Sequence, residues 1–404
     1  MKALHLALPV YLLALAAPTS VWAGNILTGV VLAWALGRAL LPGRAQLDLP
    51  PRPVLLALGA FLLTHLLAAL FAPGATRWYK LVEETWFKLL LVAVPVTLTG
   101  QTGAARRALW LTVAAGTLAA VYGIYQHFTD TDPLGGRTLL HFAGAPIAMG
   151  FTNHHLSFGG QLVTLLALAM AWLRHAVIEE RRRIWLPALV CLLMGLALIW
   201  SFARSAQVGV LAAAVLLAVT LPRGPWRRVG LGGLAVLLVL ILAIPSVRTR
   251  ALESFTDEKE VTRPNLWRSS VAGIADRPLL GWGPGNFAVM MEVHEHPGYY
   301  ESQAHSHNDF LMHAVNAGLL GLAAALWLLV AVIRVCWTGW RRAGPGSWWL
   351  LGAVAVQVGI SAAGVFQVFQ TDDECEILLY LVLGCCLALA GAVRREASAV
   401  AAGH

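Results

Sequence analysis

The residues best equipped for chemistry stand in one run: His305, Ser306, His307, Asn308 and Asp309, with His313 further along the same long apolar stretch. An imidazole titrates at about pH 6.5 and can take a proton from an attacking hydroxyl at neutral pH. Such a step needs a donor that departs as a stable anion, and a diphosphate is one. Two other readings of the run remain open. In one, Ser306 or Asn308 caps a helix and the histidines form an interfacial polar patch. In the other they bind a metal, although His305 and His307 are two apart and no cysteine or H-E-x-x-H pattern completes a zinc set.

Cations that could hold the departing anion occur elsewhere. Arg204 and Ser205 lie in Ser201-Phe202-Ala203-Arg204-Ser205, a short turn between two apolar stretches. An arginine there either snorkels or holds a ligand, and its planar fork beside a hydroxyl suits a diphosphate at headgroup depth. Arg263, Arg268 and Lys80 are further candidates. Two polar stretches could complete a cavity: Gly150-Phe151-Thr152-Asn153-His154-His155, and the acidic group Asp372, Asp373, Glu374 and Glu376. Asp372 could orient a sugar hydroxyl or the imidazole; equally, the group could be a solvated loop.

What must position these groups is a bundle of membrane helices. The 404 residues are 58% hydrophobic and 12% charged, too apolar for an ordinary soluble domain. A bilayer core needs about 20 apolar residues per helix, and the chain supplies about twelve such runs. They are 3–17, 24–41, 53–72, 84–100, 107–126, 154–173, 184–202, 205–221, 228–245, 308–333, 347–367 and 376–393. The first could be read instead as a signal peptide, but the charges argue against it. With the N-terminus in the cytoplasm, Arg38, Arg44, Arg52, Arg106, Arg107, Arg174, Arg181 to Arg183, Arg223, Arg227, Arg228, Arg334, Arg341, Arg342, Arg394 and Arg395 all fall inside. This is the positive-inside pattern, and it places both termini in the cytoplasm. The net charge of +8 is therefore mostly an orientation signal, and no basic stripe with interleaved aromatics points to nucleic acid. The five cysteines lack ligand spacing and read as small apolar fillers.

The expected architecture is thus an all-α polytopic protein, a single transmembrane domain over 1–404. Its large outward loop is an insertion at 246–307 between the ninth and tenth helices. Outside cations escape the orientation rule and need another reason: Arg77, Lys80, Arg137, Arg204, Arg248, Arg250, Lys259, Arg263, Arg268 and Arg277. The loop's first half supports an amphipathic helix with Leu266, Val271 and Ile274 apolar, broken at Asp276-Arg277-Pro278. Gly281, Gly283 and Gly285 then permit tight turns, which either serve structure alone or also shape a substrate site. Neither their spacing nor their flanks fit a dinucleotide fingerprint.

His307-Asn308, nine residues, then Gly318-Leu319-Leu320-Gly321 matches an H-[NSQ]-x9-G-x-x-G pattern that resembles the bacterial O-antigen ligases. Arg204-Ser205 followed by Gly209 resembles the R-S-x-x-x-G element of the wider ligase and polymerase superfamily. The stretch Pro278 to Phe287, preceded by Arg263 to Trp267, looks like that family's loop before its histidine. The resemblance implies a type C glycosyltransferase of the inner membrane, inverting and metal-independent, with no cofactor. It would move a glycan from undecaprenyl diphosphate to the lipid A core on the periplasmic face, both substrates anchored among membrane lipids. His307 would be the general base, and Arg204 with a loop arginine, Arg268 in preference to Arg263, would hold the diphosphate. His305, Asn308, Ser205, Lys80 and Asp372 are candidate substrate contacts, and the extra His305 leaves open which histidine acts.

An O-antigen polymerase differs only in its acceptor. A protein O-oligosaccharyltransferase would carry a larger soluble C-terminal portion. A lipid-linked glycan transporter should place charged or broken helices at mid-depth, whereas the suggestive polar residues here lie in outer loops and Lys88 is the lone lysine within a span, Arg38, Arg107 and Arg228 lying at span ends.

Overall fold

The computed structural model describes residues 2–40, 47–73, 77–142, 144–180, 183–233, 262–298, 300 and 304–402. Among them the chain is helical almost throughout, apart from turns and one antiparallel pair, His141–Phe142 against Ala145–Pro146. The helices are α1 (Lys2–Ala16), α2 (Val21–Leu40), α3 (Arg52–Leu70), α4 (Trp78–Trp86), α5 (Leu90–Thr97), α6 (Thr102–Thr129) and α7 (His155–His175). There follow α8 (Trp185–Trp200), α9 (Arg204–Val219), α10 (Thr262–Asp276), α11 (Phe287–His294), α12 (Asp309–Ala343), α13 (Trp348–Ala363) and α14 (Asp373–Ala402).

The predicted spans, the ninth apart, each find a helix, with ends shifted by up to ten residues. The fourth is broken into α4, a short 3-10 turn at Phe87–Leu89 and α5. Residues 225–233 are helical, but 234–245 of the ninth predicted span lie outside the described residues, as do 246–261, 299 and 301–303 of the predicted insertion. Arg44, Arg181, Arg182, Arg248, Arg250 and Lys259 are likewise outside them.

Six described helices are long and apolar enough to cross a membrane, and four shorter apolar ones join them. The exposed surface makes the same point. Trp22, Ile26, Val30 and Trp34 lie four apart on α2, so they form one apolar ridge, and all four are exposed. Such a ridge would be a liability in water and is at home against lipid chains. Burial orders the bundle: the apolar window of α14 is 89% buried and that of α7 78%, against 22% for α2. The first two therefore form the centre and α2 a rim. The first helix belongs to the core, since Ala7, Val10, Leu13 and Ala14 are fully buried.

With lipid equally apolar, helices gain little from hydrophobic contact and rely on close packing. Gly209 of α9 illustrates this, because a Cβ there would lie 2.5 Å from the carbonyl oxygen of Gly359 on α13. The glycine after Arg204-Ser205 is thus a helix-crossing point. All five cysteines are free thiols, four of them buried, as fillers should be.

Hydrogen bonds gather the helix ends into two groups. At one end Arg38 donates to Thr97 O (2.6 Å), Gly100 N–H to Asp48 (2.9 Å), and Arg395 pairs with Asp48. At the other, Arg77 donates to Gly285 O (3.1 Å), Asn153 to Glu374, and the His155 ring meets Ser201 O (2.8 Å). The histidine run lies at this second end, over a small separate core of Leu266, Trp282, Phe287, Met290, Met312 and Val315.

A candidate active site at the start of a broken helix

Helix α12 begins with a cap. Asn308 accepts the Leu311 N–H on its side-chain oxygen (3.0 Å) and donates its amide to Val365 O (2.9 Å). Asp309, buried, receives two backbone N–H groups on one carboxylate oxygen, from Phe369 and Gln370 (both 2.9 Å). Its own N–H donates to Gly364 O (2.7 Å). The connection between α13 and α14 is therefore stitched to the first turn of α12. Ser306 is held as well: its hydroxyl donates to Asn308 O (2.8 Å), and its carbonyl accepts from the Trp267 indole (3.1 Å).

Between these fixed neighbours His307 adopts φ 49°, left-handed for a residue with a side chain. That conformation costs roughly 1–2 kcal/mol and persists because the flanking residues are pinned. Nδ1 of His307 lies 2.6 Å from Oε1 of Gln367. An amide oxygen only accepts, so Nδ1 carries the hydrogen and Nε2 keeps its lone pair. His305 is occupied differently. Its Nδ1 accepts the His307 backbone N–H (3.3 Å), and the two rings meet edge to face at 4.2 Å. Burial first, then the charges of His307, Arg263 and His154, pushes the His305 imidazole down to about 4.

Arg204 opens α9 after Phe202, another left-handed residue (φ 53°), and its side chain is exposed at the turn. The segment 148–155 clasps this turn, through Ala148 N–H to Trp200 O (3.0 Å) and the His155 contact to Ser201. Ser205 turns inward: its hydroxyl is buried and has no hydrogen-bond partner among the described residues. Asp372 is occupied as a cap. One of its oxygens accepts Cys375 N–H (3.1 Å) and the other the Ser157 hydroxyl (2.6 Å).

On α10 the two loop arginines part company. At 100° per residue Arg263 and Trp267 share a face, whereas Arg268 lies roughly 140° round from Arg263. Trp267 bonds Ser306, and the Arg263 charge is felt at His305, so this face looks onto the histidine run. Arg268 is exposed, donates to Asn265 (3.3 Å), and lines an outward groove with Pro264, Trp267, Val271, Ala272 and Ala275. Val271, expected on the apolar face of this helix, is 56% exposed and belongs to that groove. Leu266, fully buried, faces the core as expected.

The glycine pattern beyond His307 also has a structural reason. Helix α12 breaks at Ala317 and Gly318 (φ 68°), which frees backbone groups that an apolar setting would penalise. The loop 278–285 supplies their partners: Trp282 N–H to Val315 O (2.7 Å), Gly283 N–H to Asn316 O (3.1 Å), and Leu319 N–H to Pro278 O (2.7 Å). A Cβ on Gly321 would lie 2.2 Å from that of Ala317. Lys80 packs its stem on Gly285 at the far end of this loop and pairs with Glu83.

Two features escape a reading of the sequence. Gln367 sits at the edge of an apolar run, where only its polarity among Phe366, Val368 and Phe369 sets it apart. A second polar cluster lies inside the helices, against the expectation that such residues keep to outer loops. Lys88 pairs with Glu376 and donates to Gln370 O (3.1 Å), Asn316 donates to Glu84 (2.7 Å), and the His65 and His313 rings lie 6.1 Å apart. Its members come from five separate helical segments, which no single stretch of the sequence brings together.

Fold and surface together define an all-α polytopic membrane protein. Residues 189–326, about a third of the chain, match the O-antigen ligase family model. The match takes in Arg204, Arg263, Arg268, His305, His307 and the broken part of α12. Comparison with curated proteins gave no match.

Proposed function

We propose that this protein is an O-antigen ligase of the bacterial inner membrane. It transfers a glycan from undecaprenyl diphosphate to a sugar of the lipid A core, by metal-independent inverting transfer on the periplasmic face. The observation that carries the reading is the contact of His307 with Gln367, which leaves Nε2 with the lone pair a general base requires. In this scheme Nε2 takes the proton of the acceptor hydroxyl as its oxygen bonds to the anomeric carbon. The bond from that carbon to the diphosphate oxygen breaks, and the diphosphate leaves with the electron pair. Arg204 and Arg263 neutralise the charge as it develops, an effect that is strongest where water is scarce. The family match over residues 189–326 and the face that Arg263 shares with Trp267, whose indole bonds Ser306, support these roles. His305 is the weaker base, because its Nδ1 lone pair is engaged by a backbone N–H.

The test is transfer by purified protein from undecaprenyl-diphosphate-linked glycan to lipid A core, with chelator present. Transfer that persists under chelation and is lost in His307→Ala supports the reading. Lengthening of the lipid-linked glycan, with lipid A core left unmodified, makes the protein a polymerase. Wild-type transfer by His307→Ala removes the proposed base.

A further inference from the structure

We infer that Gln367 is the positioning residue that sets the tautomer of His307, and that Asp309 holds Gln367 in place; this rests on the proposed role of His307 as base. Gln367 is buried, and its side-chain oxygen faces Nδ1 at 2.6 Å. Free imidazole populates both tautomers, and only the one with hydrogen on Nδ1 leaves Nε2 able to accept a proton. Gln367 therefore selects the reactive form without adding a charge, which a carboxylate in its place would do.

The segment bearing Gln367 has no regular structure of its own, so its position must be imposed. Asp309 imposes it, with two hydrogen bonds to the backbone of residues 369 and 370 and a third from its N–H to Gly364. The Asn308 amide adds a fourth bond, at Val365. Gly364 has to be a glycine for this, since a Cβ there would lie 2.3 Å from the free oxygen of the Asp309 carboxylate. His307 and Asp309 are two apart on one strand of chain, so the residue that holds the segment and the residue that uses it share a single short scaffold.

The test compares Gln367→Met and Gln367→Glu with wild type by two readouts. One is the 15N spectrum of histidine-labelled protein in nanodiscs, with the His307 signals assigned by difference from His307→Ala. The other is the pH profile of transfer. Wild type should show hydrogen on Nδ1, and Gln367→Met a mixture of tautomers, with turnover down roughly 10- to 100-fold and KM for the lipid-linked donor little changed. Gln367→Glu should restore the tautomer and move the acid limb of the profile upward by about one pH unit, since a carboxylate favours the imidazolium. Among the described residues, the nearby titratable or charged groups His305, Arg263, His154 and Asp309 are unaltered in both variants. An unchanged tautomer and unchanged turnover in Gln367→Met would overturn the inference. If wild type holds the Nδ1–H tautomer and loses it in Gln367→Met, yet transfers no glycan, the positioning stands and the proposed function fails.

Discussion

Leu319 donates its backbone N–H to the carbonyl oxygen of Pro278 at 2.7 Å, joining the long loop to the membrane helix where that helix is broken. The contact is backbone to backbone, so it depends on how closely the two chains approach rather than on the identity of either side chain. Gly318 allows that approach: a Cβ there would lie 2.1 Å from Leu279 O, at a φ of 68°. Gly318→Ala should therefore lower stability by about 1–3 kcal/mol and lose transfer. Thermal unfolding in detergent, alongside activity, measures both. An unshifted midpoint would show that the loop can yield.

Arg263 and Arg268 should separate cleanly. Arg263→Ala is expected to reduce transfer by roughly 100-fold or more, as removal of a charge-stabilising donor does elsewhere. Arg268→Ala should stay within about twofold, in keeping with a surface position. The same assay under saturating donor distinguishes lost binding from lost turnover. The reverse order of effects would return the diphosphate to Arg268, the arginine preferred under the family resemblance.

His305 gives a pH prediction with a definite sign. Its folded pKa, about 4, lies below the ordinary value of about 6.5, so between those values the unfolded chain binds more protons than the folded one. Its contribution to stability is full above pH 6.5 and is lost as pH falls toward 4. His305→Gln should flatten the decline in unfolding midpoint over that window. A decline as steep as in wild type would assign it to other groups.

Lys88 and Glu376 form an ion pair with almost no exposure. Removing one partner strands a buried charge, so Lys88→Met or Glu376→Met should destabilise by about 3–5 kcal/mol, while the double variant recovers much of the loss. Unfolding midpoints of the single and double variants close the cycle. Full additivity would mean that the two groups do not act as a pair.

The sequence made the membrane bundle legible because apolar length and arginine placement are local signals, and each lies within one stretch of chain. The same holds for the start of α12, whose cap was one of the readings open for Asn308. What stayed hidden was whatever depends on partners far apart in the chain. Gln367 reaches His307 across sixty residues, and Glu376 reaches Lys88 across 288. Spacing can say that Arg263 and Arg268 cannot share a face. It cannot say which face meets the histidines, because that is decided by Trp267 bonding Ser306. Val271 misled for a related reason: an apolar residue at helical spacing reads as core, yet in a membrane protein the outside is apolar too.

The turn Gly344 to Ser347, between α12 and α13, lies in sequence between His307 and Gln367. A polypeptide divided at that turn would place the His307 imidazole on one fragment and the Gln367 amide that meets it on the other. The hydrogen bonds from Asn308 and Asp309 to residues 364–370 would then become contacts between two separate chains. Glycan transfer by such a pair would report the reassembly of two half-proteins within the bilayer, a complementation assay that needs no added tag.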